Sequence, residues 1–178
     1  GLDSNYHIEM SGVVAITDTI RTIRALKKLN ISANNLCGDG TKALAEVLKR
    51  NQIMTDLNIS HNDITRSGTE LWGVDALADA IPTMGALVKF NISSNRLYEE
   101  ATKAICEGLK GNNILTELTI ASNAWYWPCA KHMAKTIPTI GSLTSINLAD
   151  NYLQADSVKH IAEAIKEHVS VLRFDCSH

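Results

Sequence analysis

The side chains best suited to bind a metal are Cys129 and His132, which lie one helical turn apart in the segment CAKH. His160 occupies the equivalent position of the following segment and could supply a third ligand. Cys129, however, aligns with a column of small residues, for which tight packing is the better explanation. The column is Gly40, Gly73, Ala101 and Ser157. We therefore expect no metal site here.

Residues arranged for catalysis are also missing from the sequence. His61 lies close in sequence to Asp56 and Asp63, but no nucleophilic side chain is placed beside it. The chain contains neither a phosphate-binding glycine loop nor a His-Glu-x-x-His motif. We expect a protein that is not an enzyme and that binds no cofactor.

The elements that carry these side chains repeat along the chain. Five segments share the pattern apolar-x-x-apolar-x-apolar-x-x-Asn-x-apolar: LKKLNISANNL, MTDLNISHNDI, LVKFNISSNRL, LTELTIASNAW and LTSINLADNYL. Their asparagines are evenly spaced except for one longer step between the second and the third, and they are Asn34, Asn62, Asn95, Asn123 and Asn151. Apolar residues alternate within each segment, which predicts a short strand, and recur with a helical period between segments. The asparagines are expected to bond buried backbone groups and to form a ladder through the stacked units.

This pattern resembles the leucine-rich repeat. A unit long enough for a strand plus a full helix is similar to the ribonuclease-inhibitor-like subclass. The resemblance implies an α/β fold, a curved solenoid with parallel strands on its concave side and α-helices on its convex side. It divides the chain into five full repeats (26–53, 54–86, 87–114, 115–142 and 143–170), with partial repeats at 1–25 and 171–178. Because neither end carries a polar cap, we expect a fragment of a longer array.

Several local features follow from the alignment of the units. Pro82 and Pro138 should each end a helix one turn early. Asp39 and Asp156 stand where a helix N-cap belongs. The longest unit, 54–86, carries its insertion near Arg66–Glu70.

Composition narrows the choice of partner and compartment. A net charge of -2, from 17 basic and 19 acidic residues, predicts no attraction to nucleic acid or to an anionic membrane. Four scattered cysteines suit a reducing compartment. Three Asn-Ile-Ser sequons, at Asn30, Asn58 and Asn91, share one column of the sheet, so repetition of the unit explains them. We expect a cytoplasmic protein in which they are unmodified.

The most promising binding residues surround the segment NAWYWPCA. Trp125 aligns with core leucines and should be buried, whereas Tyr126 and Trp127 fall on the loop that leads to the next helix. With Tyr98 in the preceding unit and Trp72 in the lengthened loop, they predict an aromatic ridge on which a protein partner docks. The alternative is that Trp127 packs over Ala155 and only seals the next unit.

The concave face is the second choice. One column of it reads Lys28, Asp56, Lys89, Glu117, Ser145 and Arg173. Opposite charges on neighbouring strands, about 4.8 Å apart, should pair with each other and cancel their field.

The sequence therefore favours a non-catalytic protein–protein interaction module or scaffold. Two alternatives stay open: a regulator of an enzyme, such as a GTPase-activating leucine-rich-repeat protein, and the ligand-recognition part of a receptor.

Overall fold

The computed structural model describes residues 10–23, 25–168 and 170–177. Residues 1–9 of the predicted partial repeat 1–25 lie outside the described residues, and with them Leu2 and Asn5, which align with Ile31 and Asn34. After the first helix, short strands alternate with helices of two to three turns. The helices are α1 Met10–Thr22, α2 Cys37–Leu48, α3 Trp72–Ala80, α4 Glu99–Leu109, α5 Trp127–Thr136 and α6 Ala155–Lys166. The strands are β1 Lys28–Asn30, β2 Asp56–Asn58, β3 Lys89–Asn91, β4 Glu117–Thr119, β5 Ser145–Asn147 and β6 Arg173–Asp175.

The six strands form one parallel sheet in sequence order. Each strand pairs in register with the next, so that the middle residues Leu57, Phe90, Leu118 and Ile146 form a row. This confirms a mixed α/β fold with a parallel sheet. It also confirms the predicted charge column, which runs in register from Lys28 to Arg173.

One continuous apolar core lies between the sheet and the helices. The middle strand residues and the helix stripes, such as Leu77 on α3 and Ile105 on α4, are buried in it. Trp125 is 0% exposed, as predicted. The helical period of apolar residues predicted between the segments fails at Ala162 on α6, because this residue is exposed. Among the described helices α6 packs only against α5 and the 3-10 turn that follows it, so its far side faces solvent.

The asparagine ladder is confirmed, and Asn95 shows its bonds in full. Its Nδ2 atom donates to the carbonyl oxygens of Ile59 at 3.0 Å, Ile92 at 3.1 Å and Ser93 at 3.1 Å. Its Oδ1 atom accepts from the backbone N–H of Asn62 at 2.8 Å. The same set of bonds recurs at Asn62, Asn123 and Asn151. Each of these asparagines thus joins its own turn to the neighbouring turns.

The helix ends agree only in part with the sequence. Both predicted proline stops are confirmed, because α3 and α5 pass into 3-10 turns at Ile81–Thr83 and Ile137–Thr139. The predicted N-caps are wrong: Asp39 and Asp156 lie inside the first turns of α2 and α6. In the first turn, their negatively charged carboxylates still interact favourably with the positive end of the helix dipole. No helix in the described part of the chain is long and apolar enough to cross a membrane.

Candidate protein-binding surface

Exposed aromatic side chains gather at one edge of the molecule, where each strand has ended and the next helix begins. The four predicted residues are all exposed at this edge, and the structure adds a fifth aromatic. The five are Trp72, Tyr98, Tyr126, Trp127 and Tyr152. Tyr126 is 58% exposed and Tyr152 is 66% exposed. Side chains of this size normally bury their apolar area, so an exposed group of them marks a candidate contact surface.

Three of these aromatics and one histidine form two neighbouring ring pairs, which we call together the aromatic cluster. The rings of Tyr126 and Tyr152 are stacked with centroids 6.0 Å apart and planes 14° apart. The ring of Trp127 meets that of His160 edge-on, with centroids 4.6 Å apart. His160 is fixed in turn by a hydrogen bond of 2.9 Å between its Nδ1 atom and the carbonyl oxygen of Asp156. The aromatic cluster (Tyr126, Trp127, Tyr152, His160) is therefore ordered by contacts between the start of α5 and the unit that follows it.

Tyr152 was missed by the sequence analysis, and its backbone is unusual. It has φ of 44°, in the left-handed region, where a bulky side chain costs about 1 kcal/mol or more. The residue after each ladder asparagine shares this conformation, and the other units place Asn35, Asp63, Arg96 and Ala124 there. A large aromatic residue directly after a ladder asparagine is the sequence feature that could have predicted this exposed ring. The turn directs it outward to meet Tyr126.

Trp72 and Tyr98 are held differently. The indole Nε1 of Trp72 donates to Oδ1 of Asp39 at 3.0 Å, and the ring lies so close to Gly38 that a Cβ there would come within 3.0 Å of Cε2. Tyr98 lies on Gly68, where a Cβ would come within 2.6 Å of Cδ2. Each ring covers a glycine of the preceding unit. Among the described residues no ring contact links either of them to the aromatic cluster.

The predicted ridge therefore needs two corrections. Trp72 and Trp127 do not lie in loops, because each is the first residue of a helix, α3 and α5 respectively. The ridge is also not continuous: Tyr126 and Trp127 belong to the aromatic cluster, while Trp72 and Tyr98 are separate exposed rings packed on glycines. The packing proposed for Trp127 is present in altered form, against His160 of the next helix.

The insertion at residues 66–70 has a structural role. Glu70 is buried, and its carboxylate accepts from the backbone N–H of Gly38 at 3.0 Å and from Nη1 of Arg66 at 2.9 Å. A buried carboxylate is stable when both oxygens are satisfied in this way. The inserted turn is thus pinned to the start of α2 in the preceding unit.

The exposed sheet face carries the second-choice residues, and their charges are paired. Lys28 contacts Asp56 at 3.3 Å, and Lys89 contacts Glu117 at 2.7 Å. A hydrogen bond from Thr55, assisted by Lys28, lowers the pKa of Asp56. The hydrogen bond to Glu117 raises the pKa of Lys89. Paired in this way, the face has little net charge with which to attract a ligand.

Arg173 stands at the end of this face and makes no ion pair with the described residues. The face itself forms an open depression of about 440 Å³ over β1 to β4. Its floor includes Leu29, Leu57 and Phe90, between the paired charges and the Asn column. Shape alone therefore keeps this face as a second candidate.

The residues considered for metal binding do not assemble. Cys129 is buried, and desolvation raises the pKa of its thiol. His160 faces Trp127 instead. Within the described residues no group of three or more His, Cys, Asp or Glu side chains could hold a metal ion.

The four cysteines are free thiols. Cys106 is the most shielded, and burial raises the pKa of its thiol to about 12. A thiol in that state is protonated at neutral pH and does not act as a nucleophile. Cys106 and Cys129 are buried and contribute to the packing of the core.

Comparison with known proteins gives fold neighbours but no sequence family. No family model and no curated protein matches the sequence. Among solved structures, leiomodin-1 actin-binding site 2 matches with a TM-score of 0.66 and 15% identity, over 85% of this chain and 86% of that one. The tropomodulin C-terminal domain of Caenorhabditis elegans matches with a TM-score of 0.62 and 17% identity, over 87% of this chain and 92% of that one.

These neighbours correct the family resemblance drawn from the sequence. The assignment to the leucine-rich repeats of the ribonuclease-inhibitor-like subclass, with the solenoid description attached to it, is wrong, because the fold matches tropomodulin and leiomodin domains. The repeated motif specifies a short strand and its asparagine turn. It does not specify helix length or the path between strands, so it identified the unit correctly and the family incorrectly.

Proposed function

We propose that this chain is a non-catalytic protein-binding module whose contact surface is the aromatic cluster. The observation that carries the proposal is the pair of stacked, largely exposed tyrosines, Tyr126 and Tyr152. Ordered aromatic rings also lose little conformational entropy when a partner covers them.

The aromatic cluster is preferred to the exposed sheet face on electrostatic grounds. Lys28 and Asp56, and Lys89 and Glu117, already satisfy each other, so a partner would have to displace these pairs or leave them in place. Exposed pairs contribute about 0.2–1 kcal/mol each and offer little as anchors. The tyrosines, by contrast, still expose more than half of their surface, which a partner can cover.

Actin is the partner we propose to test first. The support is the fold shared with leiomodin-1 actin-binding site 2 over most of both chains. The GTPase regulator and the receptor stay predictions from sequence, and we propose neither. For the compartment we propose the cytosol, supported by four free thiols.

The test is binding of the full chain to monomeric actin, measured by sedimentation velocity with a fluorescently labelled chain. We expect a complex with a Kd in the micromolar range. Absence of a complex at 50–100 µM actin would contradict actin as the partner. A labelled chain mixed with serum albumin is the control for non-specific association.

A further inference from the structure

Two columns of exposed charges cross the helices on the side of the molecule that faces away from the sheet. Counted from the ladder asparagine, each unit carries a charged residue at the eighth position and another four residues later, once the insertion at residues 66–70 is left out of the count. The pairs are Lys42 and Glu46 on α2, Asp75 and Asp79 on α3, Lys103 and Glu107 on α4, Lys131 and Lys135 on α5, and Lys159 and Glu163 on α6. Because the units repeat, the two members of every pair lie at the same two levels along their helices.

Two helices depart from the common order of charges, and they do so in opposite directions. In α2, α4 and α6 the pair is lysine followed by glutamate, which is neutral. In α3 both positions are aspartate and in α5 both are lysine, although these two helices are otherwise alike and both pass into a 3-10 turn at a proline. The outward side is therefore negative on α3 and positive on α5, with a neutral pair on α4 between them.

These departures are poorly neutralised within the chain. Lys131 and Lys135 make no ion pair with the described residues, and neither does Asp75. Asp79 lies 3.9 Å from Lys49 of α2, and its side chain is 77% exposed. A contact so long and so exposed contributes little. The opposite charges of α3 and α5 are thus available to a partner.

We infer that this side of the molecule binds a second copy of the chain across a two-fold axis that runs along α4. Such an axis lays the helices of the two copies parallel to each other and exchanges α3 with α5. It places Asp75 opposite Lys131 of the second copy. At the other level it places Asp79 opposite Lys135 of the second copy. Symmetry forms both pairs again on the other side of the axis, so one surface supplies four pairs of opposite charge.

The repeat argues against the other simple arrangements. A two-fold axis along α3 or α5 would pair helices with the same order of charges, so that Lys42 would face Lys103, or Lys103 would face Lys159. An axis across the helices would lay each helix antiparallel on its own copy, and Asp75 would then face Asp79. Like charges that face each other across an interface are unfavourable. With the axis along α4, the facing helices α2 and α6 carry neutral pairs and add no net charge.

The size of the contact limits its strength. α4 spans 11 residues, which is about 16 Å, and three helices packed about 8–10 Å apart cover roughly 25–30 Å. The contact is therefore about 400–500 Å² per copy, below the roughly 800 Å² of a standard interface. We expect a weak dimer with a Kd of about 0.1–1 mM in 25 mM salt. Its affinity should fall at least fivefold in 300 mM salt, because exposed charges are then screened.

The test is sedimentation equilibrium of the full chain at 0.02–1 mM, with two charge-reversed variants. Asp75→Lys with Asp79→Lys makes α3 positive like α5, and Lys131→Glu with Lys135→Glu makes α5 negative like α3. Each variant alone should stay monomeric up to 1 mM, because facing helices then repel. Mixed in equal amounts, the two variants should form a heterodimer at least as tight as the dimer of the unaltered chain, because every facing pair is again opposite.

The matched control is Asp56→Lys with Glu117→Lys, which gives the same net charge as the α3 variant but alters the exposed sheet face. It should dimerise as the unaltered chain does. A monomeric unaltered chain at 1 mM in 25 mM salt would overturn the inference, and so would a mixture of the two variants that stays monomeric. Equal loss of association in the control would also overturn it, since net charge would then be the cause. Actin takes no part in these measurements, so their outcome is independent of the proposed function.

Discussion

Replacing Asn95 with alanine removes the centre of the asparagine ladder. Four hydrogen bonds of 2.8–3.1 Å disappear from a side chain that is 0% exposed. The loss of the acceptor Oδ1 and the loss of the donor Nδ2 have different consequences. The backbone N–H of Asn62 loses its acceptor and is buried, so it bears the full cost of an unsatisfied donor.

The three carbonyl groups lose one donor each but keep another. The oxygens of Ile59 and Ile92 still accept from Nδ2 of Asn62 and of Asn123. That of Ser93 still accepts from the N–H of His61 at 3.0 Å. An unsatisfied buried group costs about 1–3 kcal/mol, and the weakened carbonyls add a smaller amount. We therefore expect a loss of about 2–4 kcal/mol in the free energy of unfolding, which lowers the Tm of a chain of this size by roughly 10 °C.

The assay is urea and thermal unfolding followed by far-ultraviolet circular dichroism. Asn91→Ala is the matched control, because this asparagine lies on the exposed sheet face and its side chain accepts from the N–H of Ser93. Its cost should stay near about 1 kcal/mol or below. If Asn95→Ala cost no more than Asn91→Ala, the ladder would not be the stabilising element that we describe.

Three further changes have expected outcomes that can be measured by the same unfolding assay. Gly73→Ala would place a Cβ against a backbone carbonyl oxygen of the preceding unit and should lower the free energy of unfolding by about 1–3 kcal/mol. Gly141→Ala is the control and should be neutral, because nothing lies within 4 Å of a Cβ there. Equal effects of the two changes would contradict the close packing of α2 on α3. The pKa of Cys106 is raised from 9.0 to about 12, so folding favours its neutral thiol, and that stabilisation is present below pH 9 and lost as the pH rises toward 12. Between pH 8 and 10.5 the chain should lose about 2 kcal/mol through this thiol, and a Cys106→Ala variant that kept the same slope would refute the assignment. Lys89→Ala breaks an exposed ion pair with Glu117 and should cost below about 1 kcal/mol; a larger loss would show that the sheet face is coupled to the core.

Much of the fold could be predicted from sequence because its determinants are local and recur. A short strand of this sheet needs only a buried middle residue such as Phe90, and one repeated unit fixes the register of all its copies. The asparagine ladder could be predicted from the sequence for the same reason. A buried turn with unpaired backbone groups needs a side chain that both donates and accepts, and Asn95 supplies it.

The start of α2 could not be predicted, because the neighbouring unit caps it. The N–H of Cys37 donates to the carbonyl oxygen of Asn62 at 3.1 Å, and that of Gly38 donates to Glu70 at 3.0 Å. With these donors satisfied from outside, α2 begins without a side-chain cap and Asp39 falls inside its first turn. Sequence rules for N-caps consider only the chain adjacent to the helix.

For the candidate surface, the positions of some residues could be predicted from the sequence, but the contacts between their side chains could not. Alignment placed Tyr126 and Trp127 at the correct edge, since both follow a ladder asparagine closely. It could not show that Tyr152 turns toward Tyr126, or that Trp72 lies on Gly38, because these contacts join different units through side-chain direction. Spacing in the sequence carries no record of that direction.

The most direct test of the binding surface compares two double variants in the same actin sedimentation assay. Tyr126→Ala with Trp127→Ala removes half of the aromatic cluster, and Lys89→Ala with Glu117→Ala removes a pair from the exposed sheet face. We expect the first to weaken binding at least tenfold, the loss of about 1.4 kcal/mol or more that truncating hot-spot aromatics produces, with a small change in Tm. The second should bind as the unaltered chain does. The reverse result, with binding lost only in the Lys89 and Glu117 variant, would place the contact on the sheet face and contradict the account.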